Sequence, residues 1–150
     1  MIEIARVTDA DLGELLPLMR AYCDFYEVSP ADDDLLALAS ALIADPEHEG
    51  VQLIARTGGA AVGFATTYWS WATTIAARIG VMNDLYVAPE ARGEGVADEL
   101  IRSCADECRR HGATELTWQT ARDNARAQRV YDRMGAERAE WVDYSLSVRP

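Results

Sequence analysis

The spacing of hydrophobic residues changes along the chain, and each change marks a different kind of element. Ile2, Ile4 and Arg6-Val7 read as a short first strand. Thr8-Asp9-Ala10-Asp11 then resembles a capping box that opens a helix. Leu12, Leu15, Leu16, Met19, Cys23 and Tyr26 follow at three-to-four spacing, so this helix buries one stripe until Ser29-Pro30 ends it. Asp32, Asp33 and Asp34 stand where the positive end of a second helix favours anions, and Leu35, Leu38, Leu42 and Ile43 carry its apolar face to Asp45-Pro46.

Period two takes over next. Val51 to Arg56 and Ala61 to Trp71 flank Thr57-Gly58-Gly59-Ala60, which predicts a β-hairpin. From Arg78, Ile79, Val81, Asn83, Leu85 and Val87 alternate with Met82, Asp84 and Tyr86, a third antiparallel neighbour that Pro89 stops. Val96, Leu100, Ile101, Cys104 and Cys108 mark a helix closing on Arg109-Arg110-His111 and Gly112. Thr114 to Thr120 predicts another strand. Asn124 is an N-cap for a helix whose face is Ala127, Val130, Tyr131 and Met134, ending at Gly135, and Trp141 to Val148 alternates as a last strand. The order strand, helix, helix, three-strand meander, helix, strand, helix, strand is α+β without an internal repeat or a dividing linker, so residues 1–150 read as a single domain.

Composition narrows the class. With 49% hydrophobic and 26% charged residues, the chain is neither disordered nor collagen-like nor a disulfide scaffold. No apolar run approaches the ~20 residues of a spanning helix, and Met1-Ile2-Glu3-Ile4 lacks the basic and apolar regions of a signal peptide, so the cytoplasm is expected. Cys104 and Cys108 share one helix face as reduced core thiols. His48 and His111 are the only histidines, and no Cys/His spacing suggests a metal.

The net charge is −11, and residues 1–50 hold twelve Asp/Glu against two Arg. Such an excess repels phosphates and anionic lipid, which argues against nucleic-acid and membrane partners. It is either a solvated face or a field that draws cations. All 14 basic residues are Arg, which removes Schiff-base chemistry.

Chemistry concentrates in Asp84-Leu85-Tyr86-Val87-Ala88-Pro89-Glu90-Ala91-Arg92-Gly93-Glu94-Gly95-Val96-Ala97, a glycine-rich turn between a strand and a helix N-terminus. Unpaired amides of a first helical turn, the helix dipole and glycines that permit close approach make such a turn an anion site. A plain tight turn is the alternative. The segment has neither the Gly-Lys-Ser/Thr ending of a P-loop nor a G-x-G-x-x-G after a first parallel strand.

Arg92, Gly95 and Ala97, after Leu85-Tyr86-Val87 and Pro89-Glu90, match Gln/Arg-x-x-Gly-x-Gly/Ala; Asn124, Ala127, Tyr131 and Gly135 match a downstream Asn, Ala, Tyr, Gly series at the corresponding distance. On these motifs the chain resembles the GNAT superfamily of acyl-CoA-dependent N-acyltransferases, and the order of elements agrees along nearly its whole length. The resemblance implies a three-layer fold, with helices on both faces of a mixed, mostly antiparallel sheet splayed between its fourth and fifth strands. It also implies acetyl-CoA as cofactor. The amides of Arg92, Gly93, Glu94, Gly95, Val96 and Ala97 would hold its diphosphate, the backbone of Leu85, Tyr86 and Val87 would pair with pantetheine, and Asn124 would contact that arm or organise the gap. Tyr131 would protonate the departing thiolate, with a core aromatic role as its alternative.

A protonated alkylamine must lose a proton before it attacks a thioester. Relatives that act on diamines and polyamines carry Glu-Asp where this chain has Asn83-Asp84, which leaves Asp84 as the available base and a water chain to solvent as the other route. The resemblance places the acceptor side on the first two helices. Tyr22, Asp24, Tyr26, Glu27 and Asp32 to Asp34 would there bind ammonium groups, which points to a small cationic amine such as a diamine, polyamine or aminoglycoside-like molecule. Trp69, Trp71 and Trp118 line that pocket or fill the core. Two other readings stay open: a protein N-terminal or lysine acetyltransferase, and a non-catalytic acyl-CoA-binding module. A homodimer is expected because relatives commonly form one.

Overall fold

Gly58 and Gly59 take φ values of 57° and 81°, the left-handed conformation that a two-residue hairpin turn requires. They join β2 (Gly50–Thr57) to β3 (Ala60–Ala72) in the computed structural model, which describes residues 1–150. β1 (Ile2–Arg6) pairs antiparallel with β2, and β4 (Ala77–Val87) with β3. β5 (Glu115–Thr117) lies parallel to β4, so the open sheet is mixed and runs in the order β1-β2-β3-β4-β5.

The chain divides into two compact units, Met1–Gln119 and Thr120–Pro150. In the first, α1 (Leu12–Phe25) and α2 (Asp32–Ala44) cover one sheet face: Leu15, Met19, Cys23, Leu35 and Ala39 pack with Ile54 and Phe64. α3 (Val96–His111) covers the other, where Cys108 packs with Val51, Trp69 and Leu116. Full burial of a side chain such as Leu15 or Leu100 contributes about 1.5–3 kcal/mol. Arg56 ties α1 to β2 by donating from Nη2 to Asp11 Oδ1 and Glu14 Oε1, each at 2.7 Å. Arg20 on α1 ion-pairs with Asp32 on α2. On the α3 face, buried Glu107 receives Arg6 from β1 and Arg110 from its own helix.

The second unit is built on α4 (Ala125–Arg133). Asn124 caps it, its Oδ1 accepting from the Ala127 N–H at 3.2 Å. Gln128 Nε2 donates to the carbonyls of Ala121 and Arg122, both at 3.0 Å, and closes the segment before the helix. Gly135 (φ 81°) follows its end.

Several expectations are corrected. Trp141 to Val148 is not a strand; it joins no sheet ladder, and Trp141, Val142, Tyr144, Leu146 and Val148 are all exposed. Alternation supplies a face to bury, but a strand also needs a partner for its amides and carbonyls. The strand expected over Thr114 to Thr120 shortens to Glu115–Thr117 because only Ile79 to Val81 of β4 pair with it. α1 ends at Phe25, before Ser29-Pro30, where Glu27 turns left-handed (φ 57°), and Tyr26 lies outside the buried stripe. In α2 the buried face is Leu35, Ala39 and Leu42, with Leu38 exposed.

β4 departs from simple alternation. Thr66 pairs with Asp84 but Thr67 with Met82, so Asn83 is a bulge residue without a partner. An extra residue reverses the alternation beyond it. Met82 and Asp84, which simple alternation puts together, therefore point to opposite faces. Met82 lies with Thr67 on the α3 side, and Asp84 and Tyr86 lie with Thr66 and Phe64 on the α1 side.

Candidate active site

Two structural features meet along β4 in the first unit. One is the turn at its end. Pro89–Ala91 forms a single 3-10 turn, Gly93 (φ 82°) and Gly95 (φ 87°) are left-handed, and Gly95 is the N-cap of α3. The amides of Val96 and Ala97 precede the helical ladder, which starts with Glu99 N–H donating to Gly95 O at 3.1 Å. No atom lies within 4 Å of a Cβ built at Gly93 or Gly95, so positive φ, and not crowding, calls for glycine there. Arg92 Nε donates back to Val87 O at 2.9 Å and fixes the turn to the strand, while Glu94 is exposed. Outward amides, helix dipole and open space suit a diphosphate.

The other feature is the free edge of β4. Pairing with β5 stops at Val81, so Met82 to Val87 have no strand on that side. Leu85 and Val87 face α3 through their pairing with Ala65 and Gly63, and Tyr86 packs against Phe64 on the α1 side with ring centroids 6.3 Å apart. Backbone groups along such an edge can pair with an extended chain carrying amides of its own, as pantetheine does.

Opposite α3, the bulge brings Asp84 beneath α1. Asn83 Nδ2 donates to Asp84 Oδ1 at 2.9 Å, and Tyr22 Oη donates to the Asn83 carbonyl at 3.3 Å. Tyr22 also stacks edge-on with Tyr26 and Phe64 at 5.0 and 5.8 Å. Burial, then the Asp84 charge, pushes the Tyr22 phenol well above its usual range. Tyr68 on β3 responds to the same two causes and is pushed up to about 12. Asp11, Glu14, Asp32, Glu99, Asp106, Glu107 and Asp132 each hold an arginine, whereas the groups bonded to Asp84 are neutral. Cys23 lies within the field of this carboxylate, but burial above all raises its thiol and leaves it un-ionised.

Of the residues expected to touch the acceptor, Tyr22, Tyr26 and Asp84 come together. Asp24 and Glu27 are exposed, and Asp32 is engaged by Arg20. Trp69 is buried on the α3 side, where its Nε1 donates to Pro46 O at 2.8 Å and its ring stacks on His111; Trp71 is exposed, with Arg78 over its ring. In the second unit, Asn124 is the helix cap and Tyr131 is half-buried on α4. Nothing in the sequence singles out Tyr68. It reads as one aromatic in a strand rich in them, and only the shifted register assigns it to the face that carries Asp84.

Residues 15–136 match the model of the Acetyltransferase (GNAT) family. An uncharacterized N-acetyltransferase of Bacillus subtilis, YhfO, is 33% identical over 98% of both chains. Thialysine N-epsilon-acetyltransferase of Bos taurus is 26% identical, with 91% of this chain and 84% of that protein covered. The crystal structure of a probable acetyltransferase superposes with a TM-score of 0.84 at 27% identity, covering 99% of each chain. Motif, splayed mixed sheet and relatives agree: this chain belongs to the GNAT family of N-acetyltransferases and is an acyltransferase that uses acetyl-CoA.

Proposed function

We propose that the enzyme acetylates the primary amine of a small cationic molecule by direct attack in a ternary complex. The observation that carries this reading is Asp84, a half-buried carboxylate with only neutral partners, set among tyrosines on the face opposite the anion-binding turn. A negative charge of this kind is complemented by a cation brought by the substrate. Tyrosine faces add cation–π attraction. The name of the bovine relative, which acts on thialysine, is in keeping with an amine acceptor.

Acetyl-CoA supplies an acyl group activated as a thioester. The amides of Arg92 to Ala97 would hold its diphosphate, the edge from Leu85 to Val87 would align the pantetheine arm, and Asn124 would contact that arm or organise the gap. Asp84 accepts a proton from the ammonium group and so exposes the lone pair. Strand amides near Val87 donate to the carbonyl oxygen as charge develops there. Tyr131 gives its phenolic proton to the sulfur. The Cys23 thiol, kept protonated by burial, is unsuited to carry an acyl group, which favours direct transfer. In the same reading residues 1–150 act as one acetyltransferase domain in a cytoplasmic homodimer, and a second copy would cover the exposed 141–148 segment.

The test is CoA release measured over a panel of amines at several salt concentrations. Cationic acceptors should be preferred, with the preference weakening as salt screens the charge. Indifference to acceptor charge refutes this assignment.

A further inference from the structure

We infer that Tyr68 sets the degree of substitution the enzyme accepts at nitrogen: its phenol oxygen takes a hydrogen bond from the attacking amine, so primary amines are selected over secondary ones. The inference rests on the acceptor site proposed above and adds to it a specificity residue from a different strand. Thr66 is the cross-strand partner of Asp84, and Tyr68 is two residues further along β3 on the same face. Diagonal neighbours of this kind are about 7–8 Å apart, within reach of a long aromatic side chain. The bulge at Asn83 creates the relation, because unbroken alternation would turn Asp84 with Met82 toward α3. On the other flank Tyr68 pairs with Gly50, which offers no side chain and whose backbone runs so close that a Cβ there would lie 2.9 Å from Tyr68 Cα.

The phenols on the two sides of Asp84 differ. Tyr22 is committed, donating to the Asn83 carbonyl and within hydrogen-bond reach of the carboxylate. Tyr68 senses the charge of Asp84, yet no hydrogen bond joins them, so a donor set between the two can use both oxygens. An alkylammonium carries three N–H bonds. One proton passes to Asp84 and frees the lone pair; the remaining two N–H groups address Asp84 and Tyr68. As the N–C bond forms the C–S bond breaks, and the sulfur takes a proton. Nitrogen loses its second proton to give the amide, so the reaction releases one proton overall to solvent. A secondary amine keeps only one N–H at attack and leaves one of the two oxygens without its donor.

Butylamine and N-methylbutylamine, compared by CoA release, test this. The wild type should favour butylamine in kcat/KM by roughly ten- to a hundredfold, the loss expected for one hydrogen bond to a charged group. Tyr68→Phe keeps the ring and its packing. It should lower kcat/KM for butylamine by that factor, spare N-methylbutylamine and leave KM for acetyl-CoA unchanged, so that the preference collapses. A preference that survives Tyr68→Phe, or activities that fall together on both amines, overturns the inference. Aniline, uncharged at neutral pH, separates the two proposals. Equal use of aniline and butylamine by the wild type refutes the acceptor site itself. A marked preference for butylamine over aniline, with the primary-to-secondary ratio unmoved in Tyr68→Phe, refutes Tyr68 alone.

Discussion

Replacing Gly95 by valine tests the turn on which cofactor binding depends. Its φ is 87°, and a Cβ meets nothing within 4 Å, so the substitution introduces no clash. The cost is conformational, about 1–2 kcal/mol for an L-residue held left-handed. Two responses are open to the chain. If the turn keeps its shape, the strain appears as lost stability, roughly 2–8 °C in Tm at 2–4 °C per kcal/mol for a chain of this size. If the turn relaxes to negative φ, the amides from Gly93 to Ala97 rotate and CoA loses one or more charge-assisted hydrogen bonds, about 1.5–3 kcal/mol each. One such loss raises Kd by roughly ten- to a hundredfold. Gly112, with φ 79° and equally open space at the far end of α3, is the matched control. Calorimetric titration with CoA, paired with thermal unfolding, should find affinity lost in Gly95→Val alone, and stability lowered in Gly112→Val with affinity intact. Unchanged CoA affinity together with unchanged stability in Gly95→Val, or equal losses of affinity in both variants, refutes the reasoning.

Asp84→Asn should reduce kcat at neutral pH by about 10²–10⁴-fold, the usual contribution of a positioned base. The deficit should shrink as pH rises toward the ~10 at which an alkylamine deprotonates without help, and a deficit independent of pH would exclude proton transfer as the role. Gly80→Ala sets a Cβ 2.4 Å from Cys108 Sγ and 3.0 Å from Thr67 Cγ2. Overpacking of this kind costs about 1–3 kcal/mol, measurable by urea unfolding; a variant as stable as wild type would show that the β4–α3 contact yields freely. Burial raises the Cys104 thiol from 9.0 to about 12, so the folded state retains a proton that the unfolded chain releases. The thiol's contribution to stability is therefore complete below pH 9 and is lost between pH 9 and about 12. Tyr68, raised from 10.0 to about 12, adds to the same alkaline decline. Denaturation series across this range should fall less steeply in Cys104→Ala than in wild type, and parallel curves would contradict the assignment.

Much of this architecture is legible in the chain because local chemistry marks it. Gly58-Gly59 announces a turn that only left-handed residues make, and the apolar stripe of α3 closes on Gly112, both where expected. Asn83 carries no such mark. Any residue type can occupy a bulge, and the extra residue is visible only when β3 is laid beside β4, so the side of the sheet on which Asp84 lies is a tertiary fact. The same holds for Tyr68, whose relation to Asp84 exists through strand register. At Trp141 to Val148 the alternation is real but the partner is missing, and pattern alone does not make a ladder. The acidic third divides on similar grounds: Asp11, Glu14 and Asp32 hold arginines, and the carboxylate with neutral partners, Asp84, comes from outside it.

The short pairing of β4 with β5 also bears on how the protein behaves without its ligand. From Met82 to Val87 the edge of β4 away from β3 has no strand beside it, and an uncovered edge is a template for adhesion to other polypeptides. A thioester carrier lying along that margin would shield it and favour the native state by mass action, so purification with CoA present should suppress clumping as well as raise the melting point.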